Sequence, residues 1–376
     1  MTSVLKFPKD RHAEISGGGF AGLTAAIALR QRGWSVRLHE KGPELRAFGA
    51  GIVLWHNGLR VLEGLGVLEA VLNGSMTPPV YETRLHNAVK SRETFGGMPW
   101  RVMTRKHLHN SLVQRAIDVG VDIRVNSEVV SATTDGYVTL ASGERLSSNL
   151  VVGADGVGSK VRDSIGFKMV RDVSRDGLIR LIVPRMKSAL GSGDWDNMID
   201  MWNFWPSVLR ILYAPCNDEE LYLGLMAPAD DVGGSQVPLH LETWAEMFPF
   251  LEPVLREAAK VPSPRYDRYE TNYLDEWTAG RVALVGDAGH AMCPSLAQGA
   301  GCAMVNAYSL AMELSEIPDV ETGLKSWQQR MKPITDRCQA LSKDLTANRV
   351  LSQGNQQHRE AFETARYDPL RRVSSW

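Results

Sequence analysis

The chain has 376 residues, 44% of them hydrophobic and 23% charged, and a formal net charge of -1. This length predicts two domains, or one with an inserted unit, and enough apolar residues for a sizeable core. The near-zero charge argues against bulk attraction to nucleic acid or to an anionic membrane, and no apolar run approaches the ~20 residues that a spanning helix needs.

The four cysteines, Cys216, Cys293, Cys302 and Cys338, show neither CxxC pairing nor framework spacing. No HExxH or Cys/His cluster points to a metal. The stretch 1–12 lacks the apolar core of a signal peptide. The expectation is a soluble, reduced, cytoplasmic protein without metal.

In chain order, a short strand at 13–15 runs into Gly17-Gly18-Gly19-Phe20-Ala21-Gly22. A helical pattern follows through Leu23, Ile27 and Leu29 to Gly33, and a second strand at 35–39 ends at Glu40. This is a βαβ unit of the length used for nucleotide binding, although Ser16 weakens its first strand. Helices are expected at 57–66 and 105–120, the latter with Leu108, Leu112 and Ala116 on one face. Strands are expected at 121–125, 128–134, 137–141 and 150–152, the last leading into Gly153-Ala154-Asp155-Gly156. From 172 to 274 the strand-like segments 178–183, 199–204, 208–213 and 221–226 alternate with turn signals, which predicts a largely antiparallel sheet. A buried strand returns at 281–285, followed by Gly286-Asp287. The remainder reads as helix, including a long segment at 322–351 that contains Pro333. The predicted fold class is α/β. A discontinuous Rossmann-like FAD-binding domain (1–75, 100–171 and 275–376) carries an inserted, mostly antiparallel sheet domain for substrate (76–99 and 172–274) and long C-terminal helices.

Gly17, Gly19 and Gly22 form a GxGxxG fingerprint: a tight turn, a close backbone approach to a pyrophosphate, and close packing of helix on strand. The helix start at Phe20 and Ala21 offers free N–H groups to phosphates. Glu40, about 20 residues on, can accept from ribose hydroxyls. The competing reading is a glycine-rich turn with Glu40 solvated. The later segments favour FAD over NAD: a strand ending in Gly286-Asp287, and a small-residue helix start at Ala300, Gly301, Cys302 and Ala303. Asp287 can accept from a polyol hydroxyl, which FAD has and NAD lacks.

Together, Gly17–Gly22, Asp155-Gly156 and Gly286-Asp287 resemble the three fingerprints of the single-component flavoprotein aromatic hydroxylases of the p-hydroxybenzoate hydroxylase type. Segments 46–51, 54–58, 199–205 and 367–372 resemble more closely the oxygenases that act on 2-methyl-3-hydroxypyridine-5-carboxylic acid. This resemblance implies FAD as cofactor, NADH or NADPH as cosubstrate, and O2. It also implies hydroxylation and ring opening of a 3-hydroxypyridine acid, as in vitamin B6 breakdown. It places Arg105 against FAD, gives Asp155 a part in serving FAD and NAD(P)H, and sets Pro294 along the flavin. Lys41, Arg46, Ala47, Phe48, Val129, Leu296, Ala297, Gln298, Gly299 and Ala300 complete the cofactor set that it implies.

For the substrate, Arg180 and Arg210 interrupt apolar strands. A guanidinium there is costly without an anion, which a substrate carboxylate or phenolate would supply; pairing with Asp or Glu is the structural alternative. Tyr222 and Tyr81 are candidate hydrogen-bonding partners, and Arg210, Tyr222 and Pro294 are the expected catalytic group. His290 reads as a structural or flavin-neighbouring residue, and Trp202 and Trp205 as domain packing. The expected partner is a small hydroxylated aromatic or heteroaromatic acid, and the sequence is compatible with a homo-oligomer. Three other readings stay open. They are a hydroxylase of 5-pyridoxate, hydroxynicotinate or salicylate; a non-catalytic FAD-binding regulatory protein; and an NAD dehydrogenase.

Overall fold

The computed structural model describes residues 11–45, 50–348, 363–370 and 373–374; Arg46, Ala47 and Phe48 of the expected cofactor set lie outside them. The chain opens with β1 (His12–Ser16), α1 (Phe20–Arg30) and β2 (Ser35–His39), followed by β3 (Gly51–Trp55), α2 (His56–Leu65) and α3 (Leu68–Leu72). Next come β4 (Tyr81–Leu85), β5 (Ala88–Glu93), β6 (Trp100–Thr104) and α4 (Arg105–Asp118). Short strands β7 (Asp122–Arg124), β8 (Val129–Ala132), β9 (Tyr137–Leu140) and β10 (Arg145–Ser147) lead to β11 (Leu150–Gly153) and α5 (Lys160–Ile165). The long strands are β12 (Met169–Pro184), β13 (Met198–Asn203), β14 (Leu209–Pro215) and β15 (Glu220–Pro228). Helices α6 (Val232–Ser235), α7 (Leu241–Met247) and α8 (Glu252–Ala258) precede β16 (Tyr266–Leu274), β17 (Thr278–Ala279) and β18 (Val282–Leu284). The chain continues through α9 (Asp287–His290), α10 (Gly299–Leu314) and α11 (Val320–Asn348).

The first sheet has the order β17-β18-β11-β1-β2-β7. β1 lies between β11 and β2, parallel to both, so its two edges are paired. Every residue of α1 except Arg30 is buried. A helix apolar on all sides sits between layers, and here α10 covers its outer side. Ala13 and Ile15 of β1 enter this core.

The polar residues that weaken β1 as a sequence signal are accounted for by partners. Glu14 is 1% exposed and accepts from His39 Nε2 at 2.7 Å, with His12 Nε2 at 2.9 Å and Arg37 Nη1 at 3.3 Å. Burial by itself pushes the Glu14 carboxyl up, but the hydrogen bonds from His12 and His39 outweigh it and hold the group below its ordinary value.

The second sheet has the order β16-β12-β15-β14-β13-β4-β5 and is antiparallel at every step except β13 with β4. Its strands alternate. Ile179, Leu181, Ile199, Met201, Ile211 and Leu223 turn to one face and form a core with Trp244, Phe248, Leu251 and Leu255. Helices α7 and α8 were not expected within 172–274. Leu241 and Trp244 of α7 and Val254, Leu255 and Ala258 of α8, with Phe248 and Leu251 of the connection between them, recur at helical spacing and cover that face. The strand expected at 178–183 is a 16-residue strand whose register shifts between Val173 and Gly177. β3 and β6, which pair with each other, were also missed: every residue of β3 is buried, so it carries no alternation to read.

Because the carboxyl of Glu14 is depressed, it contributes stability above its unfolded value of about 4.3 and loses it as pH falls through the lower folded value. Glu14→Gln should cost roughly 1.5–3 kcal/mol at pH 7, and the gap to wild type should narrow below about pH 4. Urea unfolding at the two pH values checks this, and a pH-independent gap would contradict it.

Candidate active site

The glycine turn after β1 is built by close backbone approach. Gly17 has φ +104°, and a Cβ there would stand 2.3 Å from the Ala154 carbonyl oxygen. A Cβ on Gly22 would lie 1.9 Å from the Gly17 carbonyl oxygen, whereas one on Gly19 would meet nothing within 4 Å. Two glycines therefore close the turn and the third leaves open space on the outer side, where a pyrophosphate would lie. Glu40 holds the turn from the end of β2: its carboxylate accepts from Gly18 N at 3.1 Å and from Gly42 N at 2.8 Å. Lone pairs remain on both oxygens for a ribose. Lys41 is exposed beside it, and Val129 is buried at the start of β8.

α4 sends two residues, one turn apart, toward this loop. His109 Nε2 donates to the Gly18 carbonyl at 2.8 Å. The Arg105 guanidinium stacks over Phe20, with Cζ 5.0 Å from the ring centroid, and makes no hydrogen bond or ion pair among the described residues; the Arg105 backbone N donates to the Ala50 carbonyl at 2.8 Å. Burial first, and then the charge of Arg180, pulls its pKa below the usual guanidinium value. An enclosed, unpaired cation calls for an anion. Asp287 is the opposing charge: desolvation raises its carboxyl, and Arg105 and Arg180 partly offset the rise.

Gly286 adopts φ +63°, ψ -149°, a conformation essentially reserved for glycine. His290 Nε2 accepts from Gly286 N at 3.1 Å and from Asn306 Nδ2 at 3.0 Å, which ties the turn to α10. Burial lowers His290 to about 4, so it stays neutral and acts as an acceptor, in the structural role expected of it.

Other members of the expected cofactor set have structural tasks. The Asp155 carboxylate accepts from Ser159 Oγ at 2.5 Å, Lys160 N at 2.8 Å and Val161 N at 3.2 Å; it organises the start of α5. Gln298 is fully buried and accepts from Asn57 Nδ2 at 3.2 Å. The Leu296 carbonyl accepts from Trp55 Nε1 at 3.1 Å, and the Pro294 carbonyl from Ala297 N at 2.8 Å. Ala297 takes φ +52°, which turns the chain into α10 at Gly299 and Ala300. The open glycine cradle, the unpaired Arg105 and the Gly286–Asp287 turn fit FAD, with its two phosphates and its polyol.

The expected substrate residues share the other face of the second sheet. Register places Tyr81, Met198, Ala214, Tyr222 and Ile182 in one cross-strand row. Thr83, Asp200, Leu212, Gly224 and Arg180 form the next, and Trp202, Arg210, Met226, Leu178 and Asp267 the one after. Gly224, lacking a side chain, lets the Tyr222 ring lie across the strand, where a Cβ would be 3.1 Å from Tyr222 Oη. Tyr222 also packs on Gly51 of β3, so this face lies against β3 and β6.

Arg210 has the carboxylate partner that the sequence left open as the structural alternative. Its Nε donates to Asp200 Oδ1 at 2.6 Å and its Nη2 to Asp200 Oδ2 at 3.3 Å, while its Cζ lies 5.0 Å from the Trp202 ring centroid. Of the two partners open to it in the sequence, the carboxylate pairing is present: Asp200 balances Arg210 within the protein. Burial alone would lower the pKa of Arg210, but Asp200 overrides it and the net shift is upward. Arg180 likewise has a carboxylate, Asp267 Oδ2 at 3.3 Å from Nη1. Tyr81 Oη donates to Asp200 Oδ2 at 3.0 Å.

Asp200 and Tyr269 went unassigned in the sequence, and Trp202 was read as domain packing. The buried Tyr269 hydroxyl and the Trp202 Nε1 have no hydrogen-bond partner among the described residues. The signal was present in strand alternation: Asp200 and Trp202 flank Met201 on the face opposite the apolar core.

Removal of the Arg105 guanidinium tests the cofactor side. Arg105→Ala should weaken FAD binding about 10- to 100-fold, the loss of a charge-assisted contact worth roughly 1.5–3 kcal/mol, while Arg105→Lys recovers part of it. Titration of the apoprotein by flavin fluorescence quenching measures this, and unchanged affinity would remove Arg105 from the phosphate site.

The FAD binding domain family model matches residues 12–341. The tetrameric form of 2-methyl-3-hydroxypyridine-5-carboxylic acid oxygenase is similar at 69% identity and TM-score 0.96, covering 98% of this chain and 100% of that one. The 2-heptyl-3-hydroxy-4(1H)-quinolone synthase of Mycobacteroides abscessus is 38% identical over 338 residues, 88% of this chain and 88% of its own. The 3-hydroxybenzoate 6-hydroxylase 1 of Aquipseudomonas alcaligenes is 28% identical over 352 residues, 88% of this chain and 87% of its own. A glycine cradle for a dinucleotide, an unpaired arginine beside it and a polar sheet face opposite are thus found in a chain that belongs to the FAD binding domain family and is an FAD-dependent monooxygenase, a class that draws its electrons from NAD(P)H.

Proposed function

We infer that the enzyme hydroxylates, and then opens, the ring of a 3-hydroxypyridine carboxylic acid of the 2-methyl-3-hydroxypyridine-5-carboxylate type, as in vitamin B6 breakdown. The observation that carries this reading is the set of donors on one sheet face. Among the described residues the Tyr269 hydroxyl and Trp202 Nε1 lack partners, and Arg210 spends only Nε and Nη2 on Asp200. The Tyr222 hydroxyl also has no hydrogen bond among the described residues, and burial raises its pKa, which keeps it a donor at neutral pH. Donors converging on one place suit an acceptor-rich ligand such as a ring acid with a carboxylate and a ring oxygen. The relative at 69% identity, named for a 3-hydroxypyridine acid, supports the ring type. Its tetrameric form supports a homo-oligomer here.

Bound FAD supplies the redox chemistry, taking a hydride from NAD(P)H and activating O2, so that one oxygen reaches a ring carbon and the other leaves as water. The protein's part is to place and polarise the ring. Arg210 and Tyr222 hold negative charge on the substrate. Stabilising the ring oxyanion makes the ortho and para carbons electron-rich. Gly51 against Tyr222 and the apolar Ala50, Val53 and Trp100 close that side of the site to water. Water added to the ring ketone left by hydroxylation then permits cleavage of the C–C bond between that carbon and the hydroxylated carbon next to nitrogen, giving a carboxylate and an amide.

Turnover of 2-methyl-3-hydroxypyridine-5-carboxylate with NADH under 18O2, followed by mass spectrometry, tests the reading. The expected product gains one oxygen from O2 and the elements of one water, and an unlabelled or unchanged acid would refute it. In the Arg210→Ala enzyme, FAD should be retained while substrate-stimulated NADH oxidation falls by at least about tenfold, or ~1.4 kcal/mol. Unchanged stimulation would remove Arg210 from the site.

A further inference from the structure

Asp200 is a carboxylate that no step of the proposed chemistry uses, yet it sits at the centre of the donor face. It is 5% exposed and accepts three hydrogen bonds: from Tyr81 Oη and from Arg210 Nε and Nη2. These three residues come from adjacent strands, with Asp200 on β13, Tyr81 on β4 and Arg210 on β14. Their contact follows from register. Asp200 lies directly between the cross-strand row that contains Tyr81 and the row that contains Arg210.

The arrangement has a consequence for hydrogen-bond direction. A carboxylate ion-paired with arginine offers acceptors only. The single Tyr81 proton is therefore committed to Asp200, and the Tyr81 oxygen has only lone pairs left for a ligand. Arg210, in contrast, donates only, and the unpartnered Trp202 Nε1 and Tyr269 Oη also have protons to give. Asp200 thus splits one sheet face into a donor side and an acceptor point. It also cancels the charge of Arg210, so the face does not present an uncompensated cation that would hold any aromatic anion equally well.

We propose that Asp200 is a positioning residue that makes the enzyme selective for ring acids carrying a hydrogen-bond donor, by fixing the Tyr81 hydroxyl as an acceptor and balancing Arg210. The donor is a ring hydroxyl or a protonated ring nitrogen, and both present the same N–H or O–H chemistry to Tyr81. This rests on the reading of the sheet face as the ring-acid site. A site whose buried polar group must be satisfied rejects analogues that cannot satisfy it, because the unpaired group keeps its desolvation cost.

The test uses the FAD-loaded full chain and follows binding through the change in flavin absorbance, without turnover. Three probes are titrated: 5-hydroxypyridine-3-carboxylate, its methyl ether, which lacks the O–H, and 3-hydroxybenzoate, which lacks the ring nitrogen. Wild type should bind the first at least about tenfold more tightly than one of the other two, and the deletion that matters identifies the donor. In Asp200→Asn the Tyr81 proton is free to turn and Arg210 loses its counter-charge, so the preference should fall to about threefold or less. Tyr81→Phe, which leaves the Asp200–Arg210 pair in place, should lose the preference while keeping its affinity for the donor-deleted probe. A residue that served packing alone would weaken all three probes together and leave their ratio unchanged. An unchanged ratio in either variant overturns the proposal, as does a wild-type enzyme that binds the three alike. An FAD-loaded protein whose spectrum answers none of the three acids overturns the ring-acid site itself, which separates that failure from failure of the role given to Asp200.

Discussion

A strand can give only every second side chain to one face, and the function of this protein depends on how the seven-stranded sheet uses that constraint. One face is filled by Ile179, Leu181, Ile199, Ile211, Leu223 and their neighbours, and α7 and α8 close over it. That packing holds the strands in register, since a slip of one residue would turn the apolar set outward. With register fixed, the alternate residues have no freedom of placement. Tyr81, Asp200, Trp202, Arg210, Tyr222 and Arg180 are then set side by side on the opposite face, from strands distant in sequence. The apolar core positions the polar site without touching it.

The cofactor side is governed by closeness of backbone rather than by alternation. Gly17 and Gly22 permit a turn that no Cβ could enter, and the Glu40 carboxylate and His109 pin the Gly18 peptide from both ends, at its N–H and its carbonyl. The Gly286 turn is held in the same manner by His290, an acceptor kept neutral by burial. In each case a conformation open only to glycine is stabilised by a side chain from another element. The cradle is therefore held by the protein's own side chains, which lowers the ordering cost of binding.

Charge in the interior is handled in two ways. Glu14 among His12, Arg37 and His39, and Asp200 with Arg210, are internally balanced groups. The Arg105 guanidinium has no such partner among the described residues, and Asp287, itself exposed, acts on it as an opposite charge without an ion pair. Balanced pairs tolerate burial, whereas an unbalanced cation becomes tolerable when an anion joins it. The contrast between Arg210 and Arg105 separates an arginine that the protein has already satisfied from one that it has not.

Much of the fold was legible in the sequence because its signals are local. GxGxxG followed by a helix, a strand and Glu40 requires only neighbours along the chain, and β2 and α4 begin at the residues expected. The Gly286-Asp287 turn after a buried strand and the small-residue start of α10 were legible for the same reason. The helices α7 and α8 had a readable period but lay in a stretch dominated by strand signals, and β3, buried throughout, had no period at all. The partner of Arg210 was not legible. The chain places Asp200 ten residues before it, a separation that means nothing until a turn folds β13 against β14 and register aligns Trp202 with Arg210. The sequence by itself determined the cofactor class and the kinds of residue available for a ring acid. Only the tertiary structure decided which of those residues meet, which arginine is already neutralised and which hydroxyl must accept, because hydrogen-bond direction depends on neighbours that the fold, and not the chain, brings together.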